Sequence, residues 1–169
     1  FSGGECLHQP DFLEAMMREA RLRELHITLD TTGLAREAVL DRVLPLADLV
    51  MFDIKHLDPG RHRELTGVDN ALILKNLEKT ARSVRTWIRI PLAAGVNDDD
   101  DHIGRLIALA VDLKPDKISF LPFHEGGAAK LPQIGSNKPS FQGAAPSDKR
   151  IAHLKSLVET AGLRVTVGS

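Results

Sequence analysis

The chain has 169 residues, 43% hydrophobic and 27% charged, a globular composition that excludes disorder, collagen and coiled coil. Lys plus Arg (22) against Asp plus Glu (23) leave a net charge of −1, so no field of either sign favours nucleic acid or an anionic membrane, and no apolar run is long enough to cross a bilayer. The single cysteine, Cys6, excludes an internal disulfide and fits a reducing cytoplasm, and a first residue that is Phe1 and not Met reads as a piece of something longer.

Residues 1–2 read as the tail of a strand, followed by Ser2-Gly3-Gly4-Glu5. A first helical stripe puts Phe12, Leu13, Met16, Met17 and Ala20 on one face. Residues 26–32 form a strand ending in Asp30-Thr31-Thr32-Gly33, and Val39, Leu40, Val43 and Leu44 form the next stripe. The run 49–55 is a strand ending in Asp53-Ile54-Lys55. Behind Asn70 as N-cap, Ile73, Leu77, Ala81 and Val84 make a third stripe. Residues 86–92 are a strand with Arg89 inside it. The fourth stripe, Ile103, Leu106, Ile107, Ala110 and Leu113, opens on the acidic run 98–101, read as a helix N-terminus facing water, and closes before Pro115. A strand over 117–124 ends at His124, before Glu125. Residues 126–146, with four Gly, four Ala and three Pro, read as a flexible loop or lid. Ile151, Leu154, Val158 and Ala161 form the last stripe, capped by Ser147 and ended by Gly162, before a strand over 164–168.

Strand and helix alternating in this way mean βα units and a parallel sheet. The middle strands are apolar on successive residues (Leu49, Val50, Met51, Phe52; Ile118, Phe120, Leu121), as expected where helices cover both faces. A closed eight-stranded barrel needs about 250 residues. The expected fold is therefore a single α/β domain over 1–169, a partial barrel or an open sheet. A missing neighbour beside 26–32 would leave an unpaired edge that recruits other chains.

In parallel α/β folds chemistry gathers at the carboxyl ends of the strands. If each strand feeds one mouth, Glu5, Asp30, Asp53, Lys55, Arg89 and His124 converge there and suit a small zwitterionic or phosphorylated ligand. Each has an ordinary alternative. Gly3-Gly4 can be a simple turn, Asp30 a helix cap, Asp53 and Lys55 a mutual pair, and His124 a loop histidine. Arg89 in an apolar strand is harder to dismiss, because a buried guanidinium needs an acidic partner. Cys6 reads as a small apolar filler.

Taken together and in order, Ser-Gly-Gly-Glu, Leu-Asp-Thr-Thr-Gly, Val-Met-Phe-Asp-Ile-Lys, Trp-Ile-Arg-Ile-Pro, Gly-Val-Asn-Asp-Asp-Asp-Asp and Leu-Pro-Phe-His-Glu closely resemble the activating enzymes of glycyl radical enzymes, the pyruvate formate-lyase activase group of the radical S-adenosylmethionine superfamily. The resemblance covers almost the whole chain. It implies a partial (βα)6 barrel that binds S-adenosyl-L-methionine and a 4Fe-4S cluster, generates a 5′-deoxyadenosyl radical and takes hydrogen from a glycine of a partner enzyme. By position it implies that Gly3, Gly4 and Glu5 hold the methionine amino group. It implies that Asp53, Lys55, Arg89 and His124 contact the cofactor. Asp30 lines the same pocket and, with Thr31 and Met51, matches the site of a monovalent cation found in some members. A glycyl radical enzyme as protein substrate, an electron donor such as flavodoxin and an anaerobic cytoplasm follow, since glycyl radicals do not survive oxygen.

The chain departs from the family at one point. The family holds its cluster with Cys-x3-Cys-x2-Cys after its first strand, whereas this sequence carries only Cys6, outside the ligand positions. The expectation is a chain that lacks the N-terminal βα unit and is inactive alone, the full-length protein being an oxidoreductase. Two alternatives stand beside it. One is a non-catalytic module that binds S-adenosylmethionine or a protein; the other is a Schiff-base lyase with Lys55 as nucleophile and Asp53 as acid/base.

Overall fold

The computed structural model describes residues 1–124, 141 and 143–168. Five parallel strands form one sheet in the order β1-β2-β3-β4-β5: β1 Thr28–Thr31, β2 Leu49–Asp53, β3 Thr86–Leu92, β4 Lys117–Pro122 and β5 Val165–Val167. Six α-helices are described: α1 Pro10–Leu22, α2 Glu37–Val43, α3 Pro59–Thr66, α4 Ala71–Ser83, α5 Asp100–Leu113 and α6 Asp148–Thr160. The expected lid at 126–146 lies for the most part outside the described residues.

Because the strand order never reverses, successive right-handed crossovers step the same way and lay their helices on one face. The row of contacts α1 to α2, α2 to α4, α4 to α5 and α5 to α6 is that single layer. This corrects the expectation of helices on both faces. Strand β3 alternates buried and half-buried residues along its whole length, with Thr86, Ile88, Ile90 and Leu92 toward the helices and Trp87, Arg89 and Pro91 away from them. The register carries the alternation across the sheet: Val50, Phe52, Ile118 and Phe120 meet the helices, while Met51, Asp53, Ser119 and Leu121 stand on the open face. The outcome is one wall of a barrel, apolar outside and polar within.

The core fills the space between this wall and the helices. Phe52, Ile88, Ile90 and Phe120 pack there with Met17, Leu40, Leu77, Ile103, Leu106 and Leu154, all fully buried. Each such side chain contributes roughly 1.5–3 kcal/mol of burial. On α1 the buried pair is Leu13 and Met17. Phe12 (65% exposed) and Met16 (43%) stay outside, so the expected five-residue stripe is narrower than its apolar letters.

The capping expectations divide. Ser147 accepts from the Arg150 amide, and Asp99 accepts from that of His102 at the start of α5. Asn70 occupies the N-cap of α4 but does not cap it: its amide group donates to the His56 and Leu57 carbonyls (3.0 and 2.8 Å), tying the loop after β2 to the start of α4 across α3.

The outer edge of β1 also differs from expectation. The Phe1 nitrogen donates to the Thr28 carbonyl (2.6 Å), the Asp30 amide donates to the Phe1 carbonyl (2.9 Å), and the Thr32 amide donates to the Glu5 carboxylate (2.9 Å). The groups that would recruit another chain are thus met by residues 1–5.

Candidate functional site

The polar side chains of the open face gather toward the carboxyl ends of the strands. Asp53 and Arg89 are register partners on β2 and β3, and Asp30 and Met51 are partners on β1 and β2. A guanidinium on a sheet face lacks the reach to solvent it has at a rim, so it is stabilised by carboxylates brought to it. Arg89 donates through Nε to Asp53 Oδ1 at 2.7 Å and pairs through a terminal nitrogen with Asp30. Its side chain is 15% exposed, against 14% for Asp53 and 24% for Asp30. Asp53 Oδ2 also accepts from Lys55 Nζ at 2.8 Å, and Asp30 Oδ2 accepts from the Ser2 hydroxyl at 3.1 Å. The mutual Asp53–Lys55 pair and the sequence-implied acidic partner of Arg89 are both present, in one four-charge network. Asp30 caps no helix; the N-cap of α2 is Arg36.

The remaining expected residues lie around this network. Gly3 and Gly4 form a tight turn with φ of +99° and +58°, and a Cβ at either position would meet open space within 4 Å. Glu5 points back to the end of β1, bonding Thr31 and Thr32. His124 is exposed just beyond the end of β4. Of the three residues expected around a cation, Asp30 and Met51 share the open face, whereas Thr31 is buried on the helix side and spends its hydroxyl on Glu5. Among the described residues no three His, Cys, Asp or Glu side chains stand close enough to hold a metal ion.

Sequence reasoning missed the residue that holds the mouth's shape. Asn97, 2% exposed, donates to the carbonyls of Lys55 (2.9 Å) and Pro91 (2.8 Å) and accepts from the Ala93 amide (2.9 Å). All its hydrogen-bonding groups thus join the chain beyond β2 to the end of β3. Its position just before an acidic run masked it. Beside Lys55 and Asn97 an apolar cavity of about 230 Å³ opens against Leu65, Pro91, Phe123 and Phe141.

A singly wound parallel sheet with charged, partly buried side chains at its strand ends places them where barrel enzymes build their sites. The model of the radical SAM superfamily matches residues 1–107. The trans-4-hydroxy-L-proline dehydratase activating enzyme of Clostridioides difficile is 32% identical over 99% of this chain and 57% of its own length. The pyruvate formate-lyase 1-activating enzyme of Escherichia coli K12 is 33% identical over 97% of this chain and 68% of its own length. A solved domain of a pyruvate-formate lyase-activating enzyme from Bacteroides vulgatus superposes with a TM-score of 0.84 at 30% identity, covering 100% of this chain and 97% of that one. The chain belongs to the radical SAM superfamily, among the activating enzymes of glycyl radical enzymes. It spans little more than half the length of the first of these relatives.

Membership implies S-adenosylmethionine and a 4Fe-4S cluster. The donor set fits the first. Two carboxylates, a guanidinium and an ammonium converge beside an open glycine turn, matching the opposite charges of an amino-acid head. It does not fit the second. The chain has one thiol where a cluster takes several thiolates. Burial, and then the charge of Glu5, push that thiol up to about 11, and it donates to the Asp30 carbonyl at 3.5 Å.

Proposed function

We propose that this chain is the S-adenosylmethionine-binding part of a glycyl radical enzyme activating enzyme, and that the cluster is held by cysteines other than its own. The observation that carries this reading is the convergence of Asp30, Asp53, Lys55 and Arg89 on one mouth. Arg89 would receive the cofactor carboxylate, and Asp30 with the Gly3–Gly4 turn would receive its ammonium. Asp53 and Lys55 flank the remainder, with His124 at the rim. A monovalent cation between Asp30 and Met51 belongs to the same reading. Bound S-adenosylmethionine supplies the family's radical chemistry only beside a reduced cluster, so this chain alone binds it without cleaving it. In the whole protein the partner is a glycyl radical enzyme and the electron donor a flavodoxin-like protein, in an anaerobic cytoplasm.

The Schiff-base alternative rests on the same pair of residues. The Lys55–Asp53 contact at 2.8 Å that this alternative invokes serves equally as part of the cofactor mouth, and the family match supports the cofactor reading.

Titration calorimetry of the purified chain with S-adenosylmethionine tests the proposal. Saturable one-to-one binding is expected, weakened at least tenfold in Arg89→Met, with no 5′-deoxyadenosine released under dithionite. Absence of binding at millimolar cofactor, or equal binding by the variant, would overturn the site. Release of 5′-deoxyadenosine would overturn the statement that the chain alone does not cleave.

A further inference from the structure

The Glu5 carboxylate has no acceptor position left for a ligand. Oε1 accepts from the Leu7 amide (3.2 Å) and the Thr31 hydroxyl (2.6 Å); Oε2 accepts from the Thr32 amide (2.9 Å) and the Thr32 hydroxyl (2.6 Å). A carboxylate offers about four such positions. The direction of the hydroxyl bonds is settled by their neighbours. Thr31 Oγ1 accepts from the Gly33 amide at 2.9 Å, so its one proton is available to Glu5, and Thr32 Oγ1 stands 3.4 Å from the Leu34 amide in the same sense.

The place of this carboxylate in the sheet explains its commitment. Along the outer edge of β1 the Phe1 nitrogen and carbonyl make two ladder bonds, and the next outward donor is the Thr32 amide. A strand continuing through residues 2 and 3 would meet that amide with a backbone carbonyl. Instead Gly3 and Gly4, in left-handed backbone, turn the chain away, and the Glu5 side chain supplies the missing acceptor. The carbonyl oxygens of Gly3 and Gly4 are thereby released from the ladder, and nothing among the described residues donates to either.

We infer that Glu5 is a positioning residue, a latch that fixes the glycine turn and the Thr31–Thr32 end of β1, and does not itself touch the amino group of the cofactor. This rests on the cofactor reading above and separates Glu5 from the other residues assigned to that group.

Glu5→Gln is the test, because the isosteric amide keeps one acceptor oxygen and puts an NH2 group where the other accepted. Hydrogen exchange of the Leu7 or the Thr32 amide, whichever the NH2 group faces, is expected to accelerate at least tenfold, while core amides such as Ile90 keep their rates. Unchanged exchange at both amides would overturn the latch. Thr32→Val removes one donor to the latch and keeps the carboxylate, so it separates positioning from contact. S-adenosylmethionine should bind several-fold more weakly to both variants; undiminished affinity in Thr32→Val beside a loss in Glu5→Gln would overturn the inference. If the wild-type chain takes up no S-adenosylmethionine, the cofactor reading fails and exchange at Leu7 and Thr32 still decides the latch. Should Glu5→Gln not fold, faster exchange of the Leu7 amide in Thr32→Val supports the latch and unchanged exchange overturns it.

Discussion

His102 gives the chain an acid-sensitive stability that one substitution should remove. It lies in the first turn of α5, 1% exposed, with its ring centroid 4.3 Å from that of His56 and neither ring nitrogen hydrogen-bonded. Burial, and then the neighbouring His56, lower its pKa from 6.5 to about 4. Burial likewise lowers that of His56. The folded chain therefore refuses a proton that the unfolded chain accepts below the ordinary histidine value. Stability is fully present above pH 6.5 and is lost as pH falls toward about 4. One proton of difference is worth about 1.4 kcal/mol per pH unit, so His102 alone removes about 3 kcal/mol across that window.

In His102→Leu the volume is nearly kept and two unsatisfied nitrogens disappear. Urea unfolding should find the variant more stable by about 1 kcal/mol at pH 7. Between pH 6.5 and 4.5 its stability should fall less steeply than that of the wild type by about 1 kcal/mol per unit. Hydrogen bonds from Lys75 and then Lys79 hold Glu37 down to about 2, below this range, and the pair is common to both proteins. Parallel stability profiles for the two proteins would refute the reasoning.

Two further substitutions probe the mouth. A Cβ on Gly33, at φ +73°, would lie 2.1 Å from Phe52 Cζ, so Gly33→Ala combines left-handed strain with overpacking of a fully buried ring. A loss of roughly 2–4 kcal/mol in urea unfolding is expected, and a loss below about 1 kcal/mol would contradict it. Asn97→Ala breaks three buried bonds and frees the Lys55 segment; it should cost about 1–3 kcal/mol and weaken S-adenosylmethionine several-fold in calorimetry, and unaltered affinity would show that the mouth does not depend on it.

The parts of this fold legible in the sequence were those governed by period. Strand β3 is legible with its observed ends because β-branched and apolar residues, interrupted by Arg89 alone, run from Thr86 to Leu92. Strands β2 and β4 stop two residues earlier than expected, at Asp53 and Pro122, since polar strand ends do not mark where the ladder stops. Helix α3 was missed because it has little apolar stripe. Its one buried residue is His62, bonded to the Val68 carbonyl at 2.7 Å, and only Asp58-Pro59 before it and Gly67 after it mark its ends. The one-sided helix layer was invisible because strand order, not composition, decides it. At the site, Arg89 was legible through the expense of burying a guanidinium. The commitment of Glu5 was not, because which donors fill a carboxylate depends on the turn between residues 2 and 5.

The same network narrows the ligand class that the strand ends left open. Asp30, Asp53, Lys55 and Arg89 sum to zero charge, and each is already paired. A phosphorylated ligand would pull Arg89 and Lys55 from their carboxylates and leave Asp30 and Asp53 without cations on a partly buried sheet face, a cost that its own contacts must offset. An amino-acid head brings both signs at a fixed short separation. Its carboxylate replaces an aspartate on Arg89, and its ammonium compensates the aspartate set free, so no charge is stranded. On the cofactor reading proposed above, the exchange is neutral only if both groups of the head arrive together, so the resident ion pairs would favour zwitterions over phosphorylated ligands.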